Sequence, residues 1–280
     1  MILTKEALKF DLPITTARLK RFIKDYLTKT KRKGIVLGLS GGIDSATAAA
    51  LSALAIGPHK VLALSLPEKE TYSAMDTKHT RLIAKKFGFQ LETIDITDIV
   101  QAYYKSIPAF DRNDKLSKGN IKARARMTCI YYYANHGNRL VVGSSDKSET
   151  MMGYFTKWGD VAADISPLMD LYKTQVRQLA EYIGIPNEIV SKPSTPQLWP
   201  GQTAEEELGM KYEVLDLILL GLENFIDTNE IAKQLSIPIE SVENIKTHWL
   251  SREHKRRSPL TMKMEYRTIG ADFRLPYTPS

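Results

Sequence analysis

From residue 34 onward, short apolar runs alternate with longer stretches whose apolar residues recur at helical spacing. Runs at 34–39, 60–66 and 89–96 have the length of strands, and the stretches between them, 44–56 and about 73–87, read as helices. The order is βαβαβ, for which right-handed crossovers predict a parallel sheet covered by helices on both sides. A helix over 120–135, a buried strand over 139–143 and a helix over 171–182, stopped by Gly184 and Pro186, extend the pattern. The sheet is therefore expected to be doubly wound. Ligands of such sheets bind outside the carboxyl ends of the strands, where Ser40 and the Ser144-Ser145-Asp146 segment fall.

Three stretches lack strong periodicity: 107–119, 153–167 and 192–209. Connections of that length inside a compact domain are binding loops, lids or disordered segments. The first is polar and rich in Ser, Asn and Lys, which suits a mobile flap. The other two mix aromatics, glycines and charges, which suits a shaped site. Residues 210–254 read as helical, with Asp227-Thr-Asn-Glu230 as a capping signal. A single domain over 1–280 is expected, with a core at about 20–209, a helical region at about 210–257 and a mobile tail over 258–280 beginning near Pro259.

Composition narrows the function classes. With 280 residues, 43% hydrophobic and 25% charged, the chain is ordinary globular material. Its one cysteine, Cys129, excludes an intramolecular disulfide and a multi-cysteine zinc site, and its place in the helical stretch 120–135 marks a buried structural thiol. No apolar run approaches the ~18 residues of a spanning helix and no leader precedes the first element, so a cytoplasmic enzyme without a membrane partner is expected. The net charge of +7 and pI near 9.2 favour anionic ligands, either nucleotides or nucleic acid. The densest basic clusters, 29–33 and 252–257, are short and flank predicted elements. A solvated helix end explains the first, and the helix dipole suffices for the second.

The most informative stretch is Gly34-Ile-Val-Leu-Gly38-Leu39-Ser40-Gly41-Gly42-Ile43-Asp44-Ser45, an apolar strand that runs into a glycine-hinged turn. Gly41 and Gly42 can take φ > 0 and bring backbone N–H groups close to an anion, with a helix N-terminus behind them. No Gly-Lys-Ser/Thr follows, and the G-x-G-x-x-G spacing is absent, so neither a Walker loop nor a dinucleotide-binding turn is read. A carboxylate stands where a lysine would be. Bare polyphosphate would repel Asp44, so its natural role is to hold Mg²⁺ against the phosphate oxygens. Glu149, just past the predicted strand 140–143, is a candidate second carboxylate for that metal.

The turn resembles the SGGxDS pyrophosphate loop of the ATP pyrophosphatases, which transfer AMP to a substrate oxygen. The 153–168 segment GYFTKWGDVAADISPL and the following LYKTQVR resemble the signature of ammonia-dependent NAD synthetases. So do KPSTPQLWPGQT at 192–203, EEELG at 205–209, NIKARARM at 120–127 and His254-Lys255-Arg256. The matches run in the family's order from Gly38 to about Arg257.

The resemblance implies an adenine nucleotide alpha hydrolase-like fold in which Gly38, Leu39, Ser40, Gly41, Gly42, Ile43, Asp44 and Ser45 bind ATP, joined by Ser144, Lys173 and Thr195. It implies Mg²⁺ on Asp44 and Glu149, catalytic roles for Asp44 and Lys173, and contacts from Arg124, Lys157, Asp164, His254 and Lys255 to deamido-NAD. The implied reaction joins deamido-NAD, ATP and ammonia to give NAD, AMP and pyrophosphate through an adenylated intermediate, in a homodimer. The chain is nearly all taken up by this resemblance, leaving no room for a fused glutaminase, so free ammonia is the expected donor. Four positions depart from the family's pattern: Ser144 for threonine, Val161 and Ala162 for a glycine pair, and Ala204 for aspartate. The rivals are a tRNA-modifying adenylase of the same loop superfamily and a catalytically inactive nucleotide-binding protein. A nucleic-acid partner is not expected on the main reading.

Overall fold

The computed structural model describes residues 1–269 and 272–273. Four parallel strands form one sheet in the order β3-β2-β1-β4, with β1 at Gly34–Gly38, β2 at Val61–Ser65, β3 at Gln90–Thr93 and β4 at Arg139–Val141. Val36 is the register point of β1, paired with Leu62 on one side and Val141 on the other. Chain order reverses between β1 and β4. This is the crevice at which doubly wound sheets take their ligands.

Strand residues are apolar at consecutive positions because both faces of the sheet are covered. Ile35, Leu37, Val61, Ala63 and Leu140 face one core, shared with α1 (Leu12–Lys29), α2 (Ile43–Ile56), α3 (Ala74–Phe87) and α7 (Lys173–Tyr182). Val36, Leu62, Leu64 and Val141 face the other, shared with α4 (Thr97–Ser106) and α5 (Lys115–Gly137). The expected doubly wound arrangement is the one that forms. Leu37 is fully buried, and each such leucine contributes roughly 1.5–3 kcal/mol relative to an exposed one.

Several boundaries differ from the periodicity reading. Helix α1 buries Ile23 and Leu27, packs Leu12, Leu19 and Tyr26 half-exposed on the same core, and starts where the Asp11 carboxylate accepts the Ile14 N–H at 2.7 Å. Helix α5 begins at Lys115, inside the stretch expected to be a flap. Asp114 caps it by accepting the Ser117 N–H at 2.9 Å. The expected strand over 89–96 shortens to Gln90–Thr93, and the irregular stretch 192–209 ends in α9 (Ala204–Leu208).

A third core lies beside the sheet layers. It joins α6 (Lys147–Met152), α9, α10 (Tyr212–Glu223), α11 (Thr228–Leu235) and α12 (Ile239–Ser251), with Leu3 and Leu8 from the N-terminal segment. Asp227 caps α11 as its sequence suggests, accepting the Asn229 N–H at 2.9 Å. Helices α8 (Asn187–Val190) and α13 (Glu253–Arg256) are short. Of the tail expected from 258, residues 270–271 and 274–280 lie outside the described residues. Among the described residues no helix is long and apolar enough to cross a membrane.

Candidate active site

The turn after β1 is held by its own hydroxyls. Ser45 Oγ accepts the Ser40 N–H at 3.1 Å and donates to the Gly42 carbonyl at 3.2 Å, while Ser40 Oγ accepts the Gly42 N–H at 3.2 Å. Gly41 sits at φ +83°, and a Cβ there would lie 2.7 Å from the Asp76 carbonyl oxygen, so the position admits only glycine. No side chain caps α2 at Gly42. The first N–H groups of a long helix therefore face the turn without a protein acceptor, which is an anion-binding arrangement.

Across the crevice, the chain leaving β4 reaches Asp146, whose Oδ1 accepts the Glu149 N–H at 2.8 Å and starts α6. This brings Asp146 and Glu149 to Asp44, with carboxylate oxygens of the three within 4.8 Å of one another. Lys173, the first residue of α7 and fully buried, reaches all of them: 2.7 Å to Asp44, 2.6 Å to Asp146 and 2.9 Å to Glu149. Its ammonium also lies over the Tyr212 ring, 5.2 Å from the centroid.

One ammonium does not balance three carboxylates. Burial raises the Glu149 carboxyl well above its ordinary range, and the neighbouring Asp146 adds to the rise; burial and Asp44 raise Asp146, against the pull of Lys173. Burial draws Lys173 down, but the three acids more than reverse this and hold it charged. Asp44 Oδ1 is buried with no hydrogen-bond partner. An oxygen-only donor set, excess negative charge and an orphaned carboxylate oxygen fit a hard divalent cation such as Mg²⁺.

From this cluster a cavity of about 660 Å³ extends to the C-terminal segment. Ser40, Asp44, Ser45, Ser144, Glu149 and Thr195 line it, together with Arg124, Lys157, His254 and Lys255. The basic groups among these are tied through main-chain carbonyls. Arg124 donates to the Lys157 carbonyl at 3.2 Å, Lys157 to that of His254 at 2.6 Å, and Lys255 to that of Gly153 at 2.5 Å. Arg256 holds the end of α6 through the Met151 carbonyl at 2.6 Å and the Thr150 carbonyl at 3.3 Å. Gly153 ends α6 at φ +60°, and a Cβ there would fall 2.6 Å from Arg252 Cβ. The 192–202 loop is pinned by Lys192 and Gln197, which both bind the Asp76 carboxylate.

Among the sequence candidates, Asp164 stands apart. Its Oδ2 accepts the Val141 N–H at 2.8 Å, and the carboxylate that lines the cavity nearby is Asp160. Lys173 lies beneath the cavity wall, bound to the acids. Sequence reasoning left Asp146 and Arg126 without roles. In the sequence Asp146 stands out only as the end of the Ser144-Ser145-Asp146 segment that follows the expected strand over 139–143. Arg126 lies at the wall with Nε donating to the Leu66 carbonyl at 3.1 Å; burial lowers it and the Glu68 and Asp160 charges oppose that. The departures from the expected pattern are accommodated: neither Val161 nor Ala162 needs positive φ, and Ala204 is buried at the start of α9 with its N–H on the Ser194 carbonyl at 3.0 Å. Cys129 is half-buried, and burial raises its thiol, which leaves it poorly nucleophilic.

The NAD synthase family model matches residues 15–259. The NH(3)-dependent NAD(+) synthetase of Hyperthermus butylicus is 44% identical over 259 residues, covering 92% of this chain and 93% of that protein. Among solved structures, the NMN synthetase from Francisella tularensis superposes with a TM-score of 0.81 at 33% identity, covering 91% of this chain and all of that one. The NH3-dependent NAD synthetase from Campylobacter jejuni gives a TM-score of 0.75 at 28% identity with the same coverage. The chain shares the adenine nucleotide alpha hydrolase-like fold of these structures, and a family match over most of its length means that the chain belongs to the NAD synthase family.

Proposed function

We propose that the chain is a ligase that amidates the nicotinate carboxylate of deamido-NAD with free ammonia, converting ATP to AMP and pyrophosphate. Relatives of this name at over 40% identity support the reaction, and the carrying observation is the Asp44, Asp146 and Glu149 cluster set against the open turn at 40–45. A carboxylate oxygen of nicotinate attacks the α-phosphorus of ATP, and the bond to the bridging oxygen breaks to release pyrophosphate. Ammonia then attacks the acyl carbon, loses a proton and expels AMP. The protein supplies no covalent nucleophile.

On this reading the N–H groups of the turn and of the first turn of α2 receive the departing diphosphate, a preorganised electrostatic contribution. Ser144 and Thr195 hold ATP. Asp44 and Glu149, with Asp146, would hold Mg²⁺, which when bound draws charge from the phosphate oxygens. Lys173 keeps the three acids together. Arg124, Lys157, His254 and Lys255 seat the dinucleotide, and Asp164 acts on it through the backbone of β4. Purified protein given deamido-NAD, Mg-ATP and ammonium should form NAD and AMP in equal amounts. Because one structural neighbour is an NMN synthetase, the mononucleotide serves as a competing acceptor; preference for it, turnover with tRNA, or no turnover at all would overturn the assignment.

Lys157→Ala should raise the KM for deamido-NAD by about tenfold, the equivalent of one charge-assisted hydrogen bond, with little change in the KM for ATP. If ATP alone suffers, the assigned ligand is the wrong one. A homodimer is part of the same reading. Tyr132 on α5 is 65% exposed and stacks on His136 with centroids 5.9 Å apart, and Tyr103 and Ile99 on α4 are exposed as well. Sedimentation at twice the chain mass would support this, and a monomer would refute it.

A further inference from the structure

Below the carboxylate cluster lies a fourth acid that the reaction does not use. Asp216 sits within α10, YEVLDLILLGLE, and is fully buried. No ion pair to it is formed among the described residues. A buried charge of this kind is unfavourable unless its oxygens are satisfied by hydrogen bonds. Both are. Oδ1 accepts the Ser148 hydroxyl at 2.5 Å, and Oδ2 accepts the Thr174 N–H at 2.8 Å. Ser148 Oγ, itself fully buried, accepts the Lys173 N–H at 2.9 Å.

The three bonds join the helices that carry the site. Ser148 lies on α6 between Asp146 and Glu149. Lys173 and Thr174 open α7, whose first N–H groups would otherwise lack acceptors. One carboxylate on α10 therefore caps α7 and, through a serine hydroxyl, fixes α6 against it. The same two segments are also joined by the main-chain bond from the Lys147 N–H to the Leu171 carbonyl at 2.8 Å and by the Lys173 ammonium on Asp146 and Glu149, whereas the Asp216 link reaches both from a third helix. A small shift of α6 against α7 would move Glu149 and Asp146 away from Lys173, and with them the oxygens facing Asp44.

We propose that Asp216 is a positioning residue of this enzyme: with Ser148 it sets the separation of α6 and α7, and so the geometry of the Asp44, Asp146 and Glu149 cation site. The proposal rests on the reading of that cluster as a metal site, but not on which acceptor is amidated. Outer partners that orient metal ligands act on metal affinity, and their loss weakens it by about 10–100-fold.

The test uses Asp216→Asn and Ser148→Ala in the full chain, with Leu217→Ala as a control that destabilises the same helix without touching the polar links. Direct titration of Mn²⁺ in the presence of a non-hydrolysable ATP analogue, followed by electron paramagnetic resonance, reads the site without turnover. Both polar variants should weaken Mn²⁺ binding about tenfold and raise the Mg²⁺ concentration for half-maximal rate by a similar factor, with the KM for deamido-NAD nearly unchanged. Leu217→Ala should lower the melting temperature and leave both metal readouts at the wild-type value. A loss of active fraction alone scales kcat and binding stoichiometry without moving half-saturation. Wild-type Mn²⁺ affinity in Ser148→Ala, or an equal shift in Leu217→Ala, overturns the proposal. Weakened Mn²⁺ binding supports it even where the wild-type protein prefers a different acceptor, so the two readings fail separately.

Discussion

Asp44→Ala should lower turnover by about a thousandfold, the rate equivalent of roughly 4 kcal/mol of lost charge stabilisation at the departing diphosphate. Asp44 is the one acid of the cluster on the phosphate side of the crevice, and its Oδ1 has no protein partner to retain. The fold should survive. Its carboxylate stands in the first turn of α2, where loss of an acid weakens a helix by about 0.3–1 kcal/mol, and its removal relieves crowding among three like charges. Melting and circular dichroism should therefore match the wild type within a few degrees. Near-normal turnover with an intact fold would remove Asp44 from the metal site.

Lys173→Met is expected to damage both stability and activity. Methionine keeps most of the volume but leaves three clustered acids, one of them fully buried, without a counter-charge. Removing one partner of a buried ion pair costs about 3–5 kcal/mol. For a chain of this size that lowers the melting temperature by roughly 10 °C. Turnover should fall about as far as in Asp44→Ala, because the cluster that faces the phosphates loses its shape. Mg²⁺ should raise the melting temperature of this variant more than that of the wild type, since a divalent cation can replace the missing charge. An unchanged melting temperature, or no extra gain from Mg²⁺, would show that Lys173 does not hold the acids together.

The layers were legible because their cause is local. Ile35, Val36 and Leu37 are all apolar since each side of β1 meets a core, and that makes a run any reader can see. Helix α1 is less legible because only Ile23 and Leu27 are buried outright, while Leu12, Leu19 and Tyr26 pack on the core half-exposed and Ile14 and Phe22 point to solvent, which blurs the apolar stripe. The start of α5 was hidden by the polarity of 115–119, although Asp114 was available as a cap; Gly119 is there for packing, its backbone close against Leu198. At the site, the turn at 40–45 announces itself because the bonds that shape it, among Ser40, Gly42 and Ser45, lie within one short segment. Asp146 and Asp216 do not. Their meaning lies in neighbours about a hundred and about seventy positions away, Asp44 and Ser148, and no spacing rule connects them. Asp164 shows the converse: other residues of its motif, Lys157 and Asp160, line the cavity, while its own carboxylate turns to the Val141 N–H.

The C-terminal segment grips α6 by its peptide oxygens, through Arg256 and Lys255, and not by its side chains. The grip itself is therefore indifferent to the side chains at 150 and 151, although Met151 stays constrained by the core it packs in. What cannot drift is the place where the helix unwinds. With Arg252 pressed against it at left-handed backbone angles, Gly153 works as a keyhole, and any side chain larger than a hydrogen would push the 252–256 segment away from the end of α6.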